Sequence, residues 1–412
     1  MLEQRRVLVG IGGGIAAYKV CEVISSLFQA GCQVRVILTP RAEDFITPLT
    51  IATLSRHQAY TDTLLWQANN SRPLHIELGE WAELMLIAPL TANTLAKLVY
   101  GLADNLLTNT VLASWCPVLV APAMNTEMWQ QVAVQKNWQE LHKDSRYHSL
   151  GPSAGRLACD TVGTGRMAEP RAILAAISSL LYTEGKRDLQ GKRILITAGG
   201  TREYLDPVRY LGNPSTGKMG IALALAAWYR GAEVLLVHGQ IETEELTALP
   251  NLVTYPLVTA SEMLQTILKE FNTIDWLCMA AAVADVKPAQ YHNSKIAKSD
   301  LPESLALEPV VDILKVLGSQ RYPHQSLIGF AAQTGDILTP AREKLHHKQL
   351  DIIVANPVDK MGAGFASEKN QGVFLDRLGR EQVINSCSKL ELAHRLFDFV
   401  LEYTALRPKG IA

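Results

Sequence analysis

The sequence predicts an α/β protein made of two doubly wound, mainly parallel-sheet domains in tandem. Three observations carry this. Short apolar runs, as expected of strands buried on both faces, alternate with segments of helical periodicity. The first two strands are joined by a single helix, and the right-handed crossover of such a unit belongs to a parallel sheet. The alternation also starts twice, at Arg6–Ile11 (RVLVGI) and at Arg193–Thr197 (RILIT), with a polar stretch between them. A length of 412 residues suits two or three domains at roughly 150 residues each.

The elements follow in order. Arg6–Ile11 is a strand, and Gly12, Gly13 and Gly14 follow it. Val20, Val23, Ile24, Leu27 and Phe28 then recur at helical spacing until Gly31 stops the helix. Gln33–Thr39 is the next strand. Leu84–Ala88 precedes a helix from about Thr91, and Val118–Ala121 precedes one near Met128. Thr183–Lys192 (TEGKRDLQGK) has no apolar period, so the domains are set at residues 1–183 and 193–412 with a linker over 184–192. Further strands are expected at Val234–His238, Trp276–Ala282, Leu327–Ala331 and Ile352–Ala355. Val373–Ile384 is expected as a hairpin turning at Arg377–Arg380, and Leu390–Leu406 as a closing amphipathic helix. The similar openings of the halves are common to doubly wound domains and do not establish a duplication.

Composition narrows the function. Charged residues make up 19%, below the ~25% of average globular chains, which argues against long disordered tails. Lys+Arg 39 against Asp+Glu 40 gives a net charge of −1, which argues against a general nucleic-acid binder. The six cysteines form no C-x-x-C pair and are expected to be reduced thiols. The N-terminus enters a strand without a secretory apolar region, and apolar runs such as Ile221–Tyr229 and Met279–Ala284 are too short to span a bilayer. A cytoplasmic protein without membrane or nucleic-acid partners is expected.

In doubly wound sheets, ligands bind beyond the carboxyl ends of the strands. Gly12–Gly14 stand there, before a helix whose free N–H groups suit a phosphate. The dinucleotide pattern G-x-G-x-x-G fails, since Ile15 stands where the third glycine belongs, and such a loop is often only a tight turn. Thr39 and Thr91 could add phosphate hydrogen bonds, though threonines there are commonly helix caps. His75 enters a helix, where a lone histidine is usually a satisfied core or surface residue. Asn125 follows a buried strand, a common place for a cap or a turn. Cys159 lies in the Gly-rich SAGRLACDTVGTGRM, as a thiol on a mobile lid would.

GGGIAAYK (12–19), TPRAEDFITPLT (39–50), HIELGEWAELMLIAPLTANTLAKLVYGLADNLLT (75–108) and APAMNTEMW (121–129) together resemble the flavin-dependent cysteine decarboxylases, over about residues 5 to 175. The resemblance implies a flavodoxin-like flavoprotein domain. It implies FMN held by Gly12, Gly13, Gly14, Thr39, Thr91, Asn93, Asp104 and Asn105. It implies His75 as catalytic base, Asn125 on the substrate carboxylate, and Cys159 as proton donor in a substrate-covering flap. Direct loss of CO2 from a cysteinyl carboxylate would leave an unstabilised carbanion. Oxidising the thiol to a thioaldehyde first supplies the electron sink, so the flavin does the hard step and the protein orients it. The ene-thiol product is then reduced and protonated. Gly12 stands where relatives often have Ser, and Asp160 and Thr161 depart from their usual flap sequence.

In the second half Gly212–Lys218 reads GNPSTGK, but Met219 replaces the hydroxyl residue a P-loop sets on Mg2+, and no buried strand precedes it. A P-loop ATPase is therefore rejected. Ser215, Thr216 and Gly217 still open a helix as an anion site. Asp285, Lys295 and Lys298 follow a strand, and Lys344 and Lys348 share a helical face. Surface lysine pairs are usually solvated, yet here they converge with a strand-end Asp, as a nucleoside triphosphate with Mg2+ requires.

ITAGGTREYLDPVRYLGNPSTGKMG (196–220), AAVADVKP (281–288), KIAK (295–298), GFAAQT (329–334) and DIIVANP (351–357) resemble the phosphopantothenate–cysteine ligase half of the bacterial bifunctional coenzyme A biosynthesis family, over about residues 190 to 400. That implies a Rossmann-like domain using CTP. The 4′-phosphopantothenate carboxylate attacks the α-phosphate, giving an acyl-cytidylate and pyrophosphate, and the amine of cysteine then displaces CMP. The resemblance implies Asn213 on the acyl-cytidylate. It implies Ala281, Asp285, Lys295, Val311, Asp312, Ile313, Leu314, Phe330, Lys344 and Lys348 on CTP, with Asp285 also on Mg2+. Val311 replaces a usual Pro, Ala297 interrupts a lysine run, and Gln333 stands for a common Glu.

The reading is a bifunctional enzyme that ligates cysteine to 4′-phosphopantothenate and decarboxylates the product to 4′-phosphopantetheine. A flavin-only prenyltransferase would need neither His75 with Asn125 nor the second half. A flavin-binding regulatory protein would have lost His75, Asn125 or Cys159. An ATP-dependent ligase stays open. The resemblance further implies a homo-oligomer, with trimers of the flavin domain, dimers of the ligase domain and a dodecamer overall.

Overall fold

The computed structural model describes residues 1–407 except 68–71, 159, 242–245, 247–248, 250–251 and 358–366. The chain divides into two compact units, one over Met1–Lys186 and one over Arg187–Thr243 with Asn251–Ala412.

The first unit is built on a six-stranded sheet. Across it the strands run Ala59–Tyr60, Gln33–Leu38, Arg6–Ile11, Leu84–Leu90, Val118–Pro122 and Tyr147–Ser149. Every pairing is parallel. Alternate residues serve opposite faces. Leu8, Ile37, Met85, Ile87, Val118 and Val120 pack with Leu78, Leu95, Leu107 and Val111. Their strand neighbours Val7, Val9, Ile11, Val36 and Leu86 are as fully buried. Burial of both faces is why these strands are continuously apolar, and each such side chain is worth about 1.5–3 kcal/mol. Helix Ala17–Gln29 presents Val20, Val23, Ile24 and Leu27 as its buried stripe and packs on helix Pro170–Thr183. The strand order is that of dinucleotide-binding sheets, so the unit shares with flavodoxin an open doubly wound sheet rather than the order of its strands. The Gly-rich segment expected as a lid is an antiparallel hairpin of Ser153–Arg156 with Val162–Arg166.

The second unit carries eight strands, ordered Val253–Pro256, Glu233–His238, Arg193–Ala198, Trp276–Met279, Ser326–Gln333, Ile352–Pro357, Lys369–Asp376 and Glu381–Ser388. The first six are parallel, and the last two form the antiparallel hairpin expected around Arg377–Arg380. The strand expected over Trp276–Ala282 ends at Met279. There Ala280 N–H turns back to the Cys278 carbonyl, and Ala281 N–H donates to Thr197 Oγ1 at 3.0 Å. An unbroken apolar run cannot mark that exit, because the residues beyond it are half-buried for another reason: they line a cavity. The closing helix is Lys389–Leu406, capped by Ser388, whose hydroxyl accepts from Glu391 N–H.

The polar stretch after Thr183 is well anchored. Leu189 is buried, and Asp188 pairs with Arg230, a side chain only 2% exposed that also meets Asp398 and donates to the His394 carbonyl. Among the described residues no helix is long and apolar enough to cross a membrane.

Candidate functional site

In the first unit the strand order reverses between Arg6–Ile11 and Leu84–Leu90, and the glycine loop leaves the sheet at that point. The three glycines differ in what they do. A Cβ on Gly13 would lie 2.3 Å from Arg41 Cβ and within 2.8 Å of its backbone, and one on Gly12 would lie 2.4 Å from the Pro89 carbonyl oxygen. Those two are glycine because neighbouring backbone crowds them. A Cβ on Gly14 would meet only Pro89 Cγ at 3.9 Å, so the loop opens there into space.

Around that opening stand helix starts. Thr91 caps Ala92–Tyr100, its Oγ1 accepting from Thr94 N–H at 3.2 Å, and Asn93 is exposed as the second residue of the helix. Asn105 caps Leu106–Ala113 by accepting from Thr108 N–H at 2.9 Å, while the Asp62 carboxylate accepts from Leu106 N–H. Asp104 is exposed and takes Lys97 Nζ at 2.6 Å. Thr39 is buried and donates to the Ile11 carbonyl at 3.1 Å, tying two strand ends together. Thr39, Thr91 and Asn105 therefore each have a structural duty, and each is held in place by it.

Asn125 follows the strand Val118–Pro122, and its Oδ1 accepts from Glu127 N–H at 2.7 Å as cap of the short helix Thr126–Gln130. The hairpin lies directly against this loop. Met124 N–H donates to the Gly165 carbonyl at 3.0 Å, and a Cβ on Gly165 would lie 2.2 Å from the Met124 carbonyl oxygen. Asn125 and the segment bearing Cys159 are thus brought together, although Cys159 itself lies outside the described residues. His75 is the second residue of helix Leu74–Trp81, which leads into the strand Leu84–Leu90. Its Nδ1 is buried with no hydrogen-bond partner among the described residues. An orphaned buried polar group costs about 1–3 kcal/mol, and a ligand that engages it removes that cost.

In the second unit a cavity of about 440 Å³ opens at the corresponding reversal, beside Arg193–Ala198 and Trp276–Met279. Its wall contains Asn213, Ala281, Asp285, Val311, Asp312, Ile313, Leu314, Phe330, Lys344 and Lys348. Buried hydroxyls fix its floor: Thr197 accepts from Ala281 N–H and Thr201 from Ala284 N–H, each at 3.0 Å. Asn213 donates to the Val283 carbonyl at 3.1 Å. Asp312 caps the helix Ile313–Gln320 and receives Lys348 Nζ at 3.0 Å. Asp285 and Lys344 are exposed at the mouth.

Lys295 is not in that wall. It is exposed in the arm between the paired segments Val286–Pro288 and Leu307–Pro309, and its neighbour Ile296 is pinned by Asp206 and Arg209. The wall also holds Lys218 and Met219, and residues that sequence patterning missed, among them Asn356, Asn370 and Lys389. The G-x-x-x-x-G-K match flagged Lys218, but Lys389 is a single lysine in an amphipathic helix and carries no local signal. Among the described residues no three His, Cys, Asp or Glu side chains converge as a metal centre.

The two units are therefore two open doubly wound sheets, one with a glycine loop and the other with a lysine-lined cavity at the point where its strand order reverses. Comparisons with known proteins agree with this division. Residues 1–182 match the family model "Flavoprotein", and residues 189–403 match "DNA/pantothenate metabolism flavoprotein C-terminal domain". The chain is 43% identical over 406 residues to the coenzyme A biosynthesis bifunctional protein CoaBC of Bacillus subtilis (strain 168), covering 98% of each protein. It is 38% identical over 401 residues to the protein of that name from Haemophilus influenzae, covering 97% of this chain and 98% of the relative. A crystal structure of the C-terminal domain of a protein of the same name shares 36% identity, covering 52% of this chain and 96% of that one at a TM-score of 0.44. The chain belongs to the family of bifunctional coenzyme A biosynthesis proteins. It is an enzyme with a flavoprotein decarboxylase half and a ligase half.

Proposed function

We propose that the second half joins 4′-phosphopantothenate to cysteine at the expense of CTP, and that the first half decarboxylates the product to 4′-phosphopantetheine using FMN. The full-length similarity to the bifunctional relatives carries this reading. The cavity supports it, because its wall contains every residue expected to contact the nucleotide or acyl-cytidylate except Lys295.

In the ligase half the substrate carboxylate attacks the α-phosphorus, and Asn213, steadied by the Val283 carbonyl, contacts the acyl-cytidylate that forms. The bond to pyrophosphate breaks, and cysteine's nitrogen then replaces CMP at the acyl carbon. Phe330 and Val311–Leu314 border the base, and Lys344 and Lys348 offset phosphate charge. The donor set suits Mg2+, which is usually bound through one or two carboxylates and completed by phosphate oxygens and water. Asp285 is the carboxylate that serves, since Asp312 is engaged by Lys348. Discrimination for CTP over ATP is part of the proposal.

In the decarboxylase half the open side of Gly14 suits the flavin phosphate, and Gly12, Gly13, Thr39, Thr91, Asn93, Asp104 and Asn105 make up the rest of the FMN site. Bound FMN would accept the electrons of the thiol carbon and return them after CO2 has left. His75 takes the substrate proton, and its partnerless Nδ1 supports a site that a ligand completes. Asn125 orients the carboxylate, and Cys159 supplies the last proton. A general acid or base of this kind contributes about 10²–10⁴ in rate.

The two activities correspond to domains at residues 1–183 and 193–412 joined through 184–192. The working assembly is a homo-oligomer of cytoplasmic chains, trimeric through the flavin half and dimeric through the ligase half. The test is the visible spectrum of the purified protein, followed by addition of 4′-phosphopantothenate, cysteine and CTP. A flavin band released as FMN, and CO2 formed only with all three substrates, is the expected result. A protein that takes up no FMN would leave only the ligase reading, and equal rates with ATP would remove the CTP assignment.

A further inference from the structure

The ligase cavity holds more positive charge than the residues assigned to the nucleotide account for. Besides Lys344 and Lys348, its wall includes Lys218 and Lys389. Lys389 is only 7% exposed. It is the first residue of the helix Lys389–Leu406, and Lys218 is the first residue of Lys218–Tyr229. The two helices pack on each other, and both begin at the cavity.

These placements run against ordinary stability. A helix start carries partial positive charge, so an acid is favoured there and a lysine is not. Burial disfavours an ammonium, and two ammoniums near one another repel. Burial first, with the Lys218 charge second, holds the Lys389 ammonium below the usual lysine range, against the opposing pull of Glu368. Glu368 is itself paired with Lys218, and its side chain is 71% exposed. Asn356 and Asn370 add neutral polar groups to the same part of the wall, with Asn370 only 6% exposed. A compact anion of about two charges would reverse each of these costs.

We propose that Lys389, together with Lys218, binds a phosphate group of a ligase substrate. The proposal rests on the ligase reading above and extends it with a residue outside the nucleotide set. Two substrates of that reading carry phosphate, the acyl substrate as a monoester and the nucleotide as a triphosphate. The chemistry is common to both, and kinetics separate them.

The experiment uses the full-length chain and its Lys389→Met, Lys389→Gln and Lys389→Arg variants. Pyrophosphate release is followed while 4′-phosphopantothenate and CTP are varied in turn, and pantothenate replaces the phosphorylated acid in a third series. Release by the wild type with CTP and 4′-phosphopantothenate is the separate check on the ligase reading, so its failure would be seen before any variant is compared. With the wild type active, Lys389→Met and Lys389→Gln are expected to raise one KM at least ten-fold, with Lys389→Arg recovering most of the loss. A rise in the KM for 4′-phosphopantothenate, with loss of preference over pantothenate, assigns the monoester. A rise in the KM for CTP assigns the triphosphate. Unchanged KM values for both substrates in Lys389→Met and Lys389→Gln overturn the proposal.

Thermal melting without ligands supplies the second readout. A lysine kept for binding is a burden on the empty protein, so Lys389→Met is expected to melt no lower than the wild type and to gain less stability from added inorganic pyrophosphate or phosphate. A variant that melts lower, with the same ligand-induced gain as the wild type, assigns Lys389 a purely structural role and also overturns the proposal.

Discussion

A methyl group on residue 14 has room, whereas one on residue 13 does not, and that contrast separates folding from cofactor binding in the glycine loop. Gly13→Ala is expected to destabilise the first half by about 1–3 kcal/mol through overpacking against Arg41. Gly14→Ala should leave the melting temperature of the apoprotein within a degree or two but weaken FMN binding at least ~10-fold, or about 1.4 kcal/mol. Titration of the deflavinated protein reads the effect, and unchanged affinity in Gly14→Ala would remove the phosphate from that opening. His75→Asn should abolish CO2 release while pyrophosphate release continues, and normal decarboxylation by this variant would end the assignment of His75 as base. Residues of this kind were legible in the sequence only as types in favourable places. Thr91, Asn105 and Asn125 are all helix caps, which is also the bland reading of Thr91 and Asn125. Capping and ligand binding ask for the same short polar side chain at the same strand end, so local pattern alone cannot divide them.

Elements were more legible than residues, because periodicity follows from burial. Arg6–Ile11 came out with its expected bounds and Val118–Pro122 within a residue, since an open parallel sheet buries both faces of its central strands. Some missed elements are short or exposed, such as the edge strands Ala59–Tyr60 and Tyr147–Ser149 and the arm pairing Val286–Pro288 with Leu307–Pro309, but the largely buried helix Pro170–Thr183 was missed as well. The closing helix shows what periodicity does not report. His394 lies fully buried on it, and burial first, with the nearby Arg230 charge second, lowers its pKa from 6.5 to about 3. The unfolded chain therefore takes up a proton near pH 6.5 that the folded chain refuses. Stability of the ligase half is full above that pH and declines as the pH falls from 6.5 toward 3, by at most about 1.4 kcal/mol per pH unit. Denaturant midpoints at pH 7 and pH 5 should differ less in His394→Leu than in the wild type, and equal slopes would refute the assignment. Arg230→Met should cost the same half about 2 kcal/mol. That is below the 3–5 kcal/mol of a fully buried pair, because Asp188 and Asp398 keep 39% and 43% of their side-chain surface in water.

At the scale of the whole molecule, the proposed assembly predicts a sedimenting species of many chains rather than one. A monomer retaining both activities at micromolar concentration would overturn the oligomer reading. Two units were foreseeable because the alternation of strands and helices restarts, but Lys389 was not, since the cavity draws it from a helix far along the chain from the loop that holds Asn213. The Arg230 cluster has a consequence for synthesis. It joins Asp188, at the entry to the second unit, to Asp398 and His394 in its final helix. A ribosome presents the N-terminal half first, and domains generally fold as they emerge. The flavin half can therefore assemble while the ligase half is still being made. The ligase half, however, keeps its first and last segments waiting for each other, and a message cut short before that helix would yield a flavoprotein carrying an unfinished partner.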